Sequence, residues 1–430
     1  MKKNLLLMLA MIMSLIGLTA CQTAESEDNS QSGASGDEVT IDLWHFDPGA
    51  RKEVYDDAIK RFEEKNPGVK VNALQIPNDD YKQRIMVSMS GGTPPDVFAS
   101  WGGGWLEEFA DSGMVKDLTD EDIDYSQFVD VAVENSTYDD KIFGLPLGIS
   151  TYQFFYNKSI FEKHGLEVPN TYEELLEIID VLKEEEIYPI ALANQPQWPG
   201  AFYMMYLADR LGGEEVFRNA NQRTGEGFDN EVFVEAGEYI QELVEKDAFN
   251  PGFNGVPYDE GQARQLMYSE KAAMMLMTTG FINNVRQEFP SFEEKMGVFE
   301  FPVIESGEGD PTNISAGVSP VWSVYKETKH PELTIELIKE LTSVETAQDY
   351  ANKAGAPVAV KGVEVEDEYL QIFTGWVNEA NSIQFPYDQT LTPELAEVHK
   401  NTTYELFGGS ITPQEAADAM EEKAQEVLDK

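Results

Sequence analysis

From Val39 onward the apolar residues switch repeatedly between a period of two and a helical period, and this alternation restricts the chain to an α/β architecture. Residues 39–44, VTIDLW, alternate apolar and polar as a half-buried strand does. Val54, Ala58 and Phe62 then recur four apart, with Tyr55 and Ile59 beside them, and Asn66-Pro67-Gly68 ends that helix. Residues 69–74 read as a second strand, 79–90 as a helix with Tyr81, Ile85 and Met89 on one face, and 96–100 as a short third strand. Strands spaced by helices of this length imply βαβ units and a parallel sheet flanked by helices. The pattern resumes after Tyr156, where Thr171 and Glu174 form a capping box ahead of a helix and 188–193 read as a strand. A second α/β unit is therefore expected. The last third is mostly helical: Leu333, Leu337 and Leu341 form one stripe, and Thr412-Pro413-Gln414-Glu415 combines an N-cap, a first-turn proline and a capping-box glutamate.

Charge narrows the partners. The 430 residues carry 31 Lys and Arg against 78 Asp and Glu, a formal net charge of −47. Such a surface repels the phosphate backbone of nucleic acid and anionic membrane surfaces before contact. Hydrophobic residues make up 42% of the chain and charged residues 25%, so the body folds rather than staying disordered. At this length two or three domains are expected.

The first residues read as an address. Lys2 and Lys3 precede an apolar run over 5–18, too short to span a bilayer and ended by Thr19-Ala20-Cys21. Leu18-Thr19-Ala20-Cys21 resembles the bacterial lipobox, which implies a signal peptide over 1–20 and a lipidated Cys21 at the start of the mature chain. Cys21 is the only cysteine, so it forms no internal disulfide and has no thiol partner for a metal. Residues 21–38 then serve as the lipidated end of a flexible Ser-, Gly- and acid-rich tether. The body is expected outside the cytoplasm, held at the cell membrane by that lipid alone.

Motifs for common chemistries are missing. No phosphate loop, H-E-x-x-H pair or G-x-S-x-G elbow occurs. The four histidines, His45, His164, His330 and His399, are scattered. Asp120-x-Asp122-x-Asp124 imitates a calcium loop, but Tyr125 stands where glycine belongs and Val131 where the closing glutamate belongs. Gly102-Gly103-Gly104 has no Lys or Arg near it in sequence, which favours a turn or a close approach over phosphate binding. No cofactor and no metal are expected. With 78 carboxylates, some pair suited to glycoside hydrolysis can always be proposed, so a surface-anchored glycosidase stays open as an alternative, and a metal- or peptide-binding lipoprotein as a weaker one.

Several segments, in order, resemble the extracellular solute-binding lipoproteins of bacterial carbohydrate ABC importers, the group of maltose-, raffinose- and multiple-sugar-binding proteins. They are VTIDLWHFDPG, FEEKNPGVKVNALQIPNDDYKQRI, GGTPPDVFASWGGGWLEEFADSGMVKDLTD, KIFGLPLGISTYQFFYNKSIFEKHGLEVPNTYEELLE, EKAAMMLMTTGFI and GVSPVWSVYKETKHPELTIELIKELTS. The PPDV block, the Y-N-K-x-x-F segment and the late glycine-to-Pro-Glu helix entry are specific together, though each alone is weak. The resemblance implies a monomeric, two-lobed periplasmic-binding-protein-like fold that closes on a carbohydrate and delivers it to ABC permease subunits, without catalysis. It puts the first crossing between lobes near 148–152, the second near 277–280 and a third after a strand at 315–324. One lobe would hold 39–149 plus 278–326, the other 150–277 plus 327–430.

A pyranose offers an apolar face and a ring of hydroxyls, so its cleft needs aromatic platforms and short polar side chains. Ligands of open α/β sheets sit beyond the carboxyl ends of the strands. His45 and Phe46 follow the first strand, Asp80 the second and Trp101 the third; Trp198 follows the strand at 188–193 in the other unit. Gly280 and Phe281 open a helix whose amides can meet hydroxyls. The resemblance adds Tyr152, near the first crossing, as a contact or a hinge brace, and Asp388, beside Tyr387 in FPYDQT. Trp44 reads as strand-end core or contact, Trp322 as either, and Trp105, with Phe109 four residues on, as core.

Overall fold

The computed structural model describes residues 38–429. The leader, Cys21 and nearly all of the expected tether lie outside the described residues. In chain order the strands are β1 (Val39–His45), β2 (Val69–Gln75), β3 (Val97–Ser100), β4 (Thr137–Tyr138), β5 (Lys141–Ile142), β6 (Leu145–Pro146), β7 (Ile149–Asn157), β8 (Tyr188–Ile190), β9 (Ala272–Thr278), β10 (Met296–Phe299), β11 (Ile314–Val318), β12 (Val321–Val324) and β13 (Ile383–Gln384). Two sheets carry the fold, and β4 pairs only with β5. The first sheet runs β2-β1-β3-β12-β6, with β1 parallel to β2 and β3 and with β12 antiparallel to its neighbours. The second runs β13-β11-β7-β9-β8, and β10 extends it by pairing with the far half of β7. Helices cover both sheets, and each sheet has its own apolar core.

Local rules account for the elements. Helix Gly49–Lys65 buries Val54, Tyr55, Ala58, Ile59 and Phe62 against the first sheet and stops at Asn66. Both expected capping boxes form, at Thr171 with Glu174 and at Thr412 with Glu415. Each satisfies two of the amide donors that a helix start leaves open.

The division of the chain between sheets differs from the expected boundaries. The chain passes from β6 in the first sheet to β7 in the second across Leu147 and Gly148. It does not return near 277–280: β10 and β11 both belong to the second sheet. It returns inside the segment expected to be one strand over 315–324. That run is β11 in the second sheet and β12 in the first, parted at Ser319-Pro320. Pro320 has no N–H to donate, so a ladder cannot continue through it. The helices Pro331–Leu341 and Val344–Ala354 then bury Leu337, Leu341 and Tyr350 in the first core, not the second. The chain re-enters the second core with Leu370 and Phe373.

The two strand crossings touch. Ser319 N–H donates to the Gly148 carbonyl at 2.9 Å, and a Cβ on Gly148 would lie 2.4 Å from the Ser319 oxygen. Only glycine fits that passage.

His45 shows how strand parity governs side chains. Ile41, Leu43 and His45 share the inward face of β1, and His45 is 1% exposed with its ring edge-on to Tyr55 at 5.2 Å. Neither ring nitrogen has a partner among the described residues. Burial pulls its pKa down to about 4, against the attraction of Asp47. The unfolded chain takes up this proton near pH 6.5, which the folded chain refuses until about pH 4, so the stability present above 6.5 is lost as the pH falls through that window. His45→Phe keeps the shape and removes the titration. We expect the variant to show a flatter decline of thermal midpoint between pH 6.5 and 4 than the wild type, with about 3 kcal/mol less acid-linked loss across that window.

Candidate functional site

A cleft of about 420 Å³ lies between the two sheets, within the range of small-molecule sites, roughly 300–1,000 Å³. Its walls come from both halves. The first sheet contributes the loop after β1 (Phe46, Asp47, Pro48), Arg51, Gln75, Lys82 and Trp101; the second contributes Tyr152, Trp198, Phe202, Tyr258 and the polar face of helix Gly280–Glu288. Asn283, Asn284 and Gln287 sit on that face, and Gln287 Nε2 donates to Asn283 Oδ1 at 2.7 Å. These are the carboxyl ends of the parallel strands β1, β2 and β3, where α/β sheets place ligands.

Of the residues expected from the sequence, Phe46, Trp101, Tyr152, Trp198, Gly280 and Asp388 are on the cleft wall. His45 is not, because strand parity turns it into the core. Phe281 is fully buried against Phe155, 4.9 Å away, and Tyr268; the first turn of its helix points it away from the cleft. Asp80 is exposed and off the wall, and it is Asp79 that reaches across, accepting from Trp198 Nε1 at 3.1 Å. Trp322 is core, edge-on to Tyr55, and Tyr387 stacks on Phe217 at 3.8 Å inside the second core.

The aromatic walls differ in availability. Trp101 is 6% exposed: Phe46 stacks on it at 4.6 Å, and the Lys82 ammonium lies 4.9 Å from its centroid. It is therefore held inside an aromatic cluster and is not an open platform. Trp198 is only half-buried, with Tyr258 edge-on at 4.9 Å and Phe202 at 5.5 Å. Tyr152 stacks on Phe202 at 4.5 Å, and burial first, then Asp388, pushes its hydroxyl well above the usual phenol range.

Apart from Asp388, sequence reasoning passed over the charged residues of the cleft. Asp47 and Arg51 follow β1 directly at i, i+4 spacing, a signal that was present in the chain. Asp47 accepts from Arg51 Nη1 at 3.1 Å and from the Tyr55 hydroxyl at 2.6 Å. Arg264 pairs with Glu288 at 2.7 Å. Lys82 reaches Asp388 at 3.0 Å, and this pair joins the halves, since helix Asn78–Ser90 packs on the first core while Asp388 follows Tyr387 of the second. Trp105 Nε1 donates to the Asp388 carbonyl at 3.2 Å. The glycine run explains the closeness: a Cβ on Gly103 or Gly104 would lie 2.3 Å from the Gln389 or Leu391 carbonyl. Among the described residues no group of three His, Cys, Asp or Glu could hold a metal ion.

With fold and cleft in hand, comparison with known proteins assigns the class. A family described as bacterial extracellular solute-binding protein matches residues 48–348, and the chain belongs to that family. It is 24% identical to the multiple sugar-binding protein of Streptococcus mutans over 374 residues, 84% of this chain and 85% of that protein. It is 23% identical to the galactooligosaccharide-binding protein of Bacillus subtilis over 436 residues, 98% and 96% of the two chains. A solved structure from work on xylan utilization by the thermophilic bacterium Caldanaerobius polysaccharolyticus superposes with a TM-score of 0.84 at 28% identity, covering 90% of this chain and all of that one.

Burial alone would raise the Asp388 carboxyl, but Lys82 and Lys400 hold it below the usual carboxylate range. Its contribution to stability is thus present above the unfolded carboxylate value and lost as pH falls through the lower folded one, below about pH 4. Asp388→Asn leaves Lys82 without its partner in a nearly dry site. We expect chemical denaturation at pH 7 to show a loss of about 3 kcal/mol, and the difference from wild type to shrink at pH 3.

Proposed function

We propose that this chain is the extracytoplasmic receptor of a carbohydrate importer. It captures a sugar or oligosaccharide between its two halves and presents it to an ABC permease, anchored through a lipid on Cys21. One observation carries this reading: a cleft walled from both sheets, to which the second half brings a half-open tryptophan with two aromatic neighbours and a row of side-chain amides, and the first half Phe46, Arg51 and Gln75. Aromatic faces stack on the C–H surface of a pyranose, and amides both donate to and accept from its hydroxyls. The sugar-binding names of the relatives point the same way.

The geometry favours binding over hydrolysis. A glycosidase needs two free carboxyl groups facing each other across the substrate. Here Asp47, Glu288 and Asp388 are each engaged by a cation. Among the described residues Asp259 is the one wall carboxylate without an ion pair, its pKa raised by burial and then by Asp79 against the attraction of Arg264. A screen of mono- and oligosaccharides by thermal shift tests the reading, because a ligand at 100 times its dissociation constant adds about 2.7 kcal/mol. Release of reducing sugar from the stabilising ligand would assign an enzyme instead; stabilisation by none of the sugars would reject a carbohydrate receptor.

Two further outcomes are expected. Trp198→Ala removes the open platform while touching little of either core, so affinity for the stabilising sugar should weaken by about 1–3 kcal/mol with a modest change in midpoint, measured by calorimetry. A ligand that drives closure must bind the closed form better than the open one. Solution scattering should therefore give a smaller radius of gyration with saturating sugar than without, reversibly, and an unchanged profile with a bound sugar would mean a rigid receptor.

A further inference from the structure

Arg51 is the one cation on the cleft wall with part of its guanidinium unpaired among the described residues. The residue is 7% exposed and sits in the first turn of helix Gly49–Lys65. Its Nη1 is engaged by Asp47, and its charge lies 5.3 Å from the Tyr350 ring. Nε and Nη2, both buried, have no hydrogen-bond partner among the described residues. A buried donor left unmade costs about 1–3 kcal/mol, so two on one side chain call for an explanation. Asp47 cannot turn to supply it, because its second oxygen holds the Tyr55 hydroxyl.

The tip of the guanidinium adjoins a helix start. Nη2 and Nη1 lie 3.9 and 4.0 Å from where a Cβ on Gly280 would stand, and Gly280 opens the nine-residue helix Gly280–Glu288. The Gly280 amide donates to the Thr278 hydroxyl at 3.2 Å, the N-cap Thr279 makes no side-chain cap bond, and both Arg51 and Gly280 are on the cleft wall. A helix N-terminus favours negative charge. Nε–H and Nη2–H point the same way from the guanidinium plane, the fork that matches both oxygens of a carboxylate. Asp47 offsets the formal charge, so what is left is a directional pair of donors. A hydroxyl fills half of it; a carboxylate fills all of it.

We propose that Arg51 and the N-terminus of helix Gly280–Glu288 form a carboxylate subsite, and that the sugar this cleft takes carries a uronic acid. The inference rests on the carbohydrate reading above. It also predicts that the neutral part of the ligand lies toward Trp198 and the amides, with the acid group against Arg51.

The test is calorimetry on the purified protein with galacturonic acid dimers and trimers and glucuronic-acid-substituted xylo-oligosaccharides. Each is paired with its counterpart in which the carboxyl is reduced to the alcohol. The acid form should bind at least about tenfold tighter than the reduced form of the same sugar. Arg51→Lys keeps the charge and removes the fork, and should narrow that ratio to about threefold or less. If R51K does not fold, Gly280→Ala, which sets a methyl beside Nη2, reads the same ratio. Reduced forms that bind as tightly as the acids would overturn the subsite while leaving a carbohydrate receptor intact. A ratio undiminished in the folded variant would remove Arg51 from the role. Binding of neither form, with no other sugar binding, would reject the carbohydrate reading itself.

Discussion

Gly148 and Ser319 pass each other at hydrogen-bond distance, and the rest of the architecture depends on that passage. The chain changes sheets at both places, once going out along β7 and once coming back through Pro320 into β12. Because β7 and β11 pair beside the crossing, the two sheets are joined by adjacent antiparallel strands and not by loose loops. Thr279 adds a third chain at the same spot, its hydroxyl 3.1 Å from that of Ser150. The cleft opens directly beyond this junction, with Ser150, Thr278 and Ser319 on its floor. Under the closure proposed above, a small dihedral change there would be amplified at the far wall, as in hinge closure around ligands.

Away from the junction polar contacts join the halves, Lys82 to Asp388 and Trp198 to Asp79. Only 31 basic residues are available, yet three of them, Arg51, Lys82 and Arg264, stand on the cleft wall, each against a carboxylate, the first and last within one half. Lys82 has several tasks at once, since it neutralises Asp388 across the cleft and lies over both Trp101 and Trp105. In a site this dry the pair orients more than it stabilises, because desolvation offsets much of the attraction. Trp101, which looks like a sugar platform in sequence, thus becomes part of the cleft's framework, and Trp198 is left as the open aromatic surface.

Much of the local structure was legible in the chain. The period-two run of β1, the stripe of helix Gly49–Lys65 and the two capping boxes all form where their residue patterns place them, because each depends on contacts within a few residues. So does the general position of the cleft, beyond the ends of the strands. What misled was orientation. His45 and Phe281 are in the right segments but face the cores, the first by strand parity and the second by the turn of its helix. Parity was readable; the rotation of a helix about its own axis was not.

The sequence by itself determined the α/β character, the helix starts and stops and the strongly negative net charge, since these follow from near neighbours and from totals. Only the tertiary structure decided which strands share a sheet, that residues 315–324 belong to two sheets, and that Lys82 meets Asp388 or Arg51 meets Gly280 across more than two hundred positions of chain. Pairings at such separation are selected by packing of the whole body, and no local period encodes them.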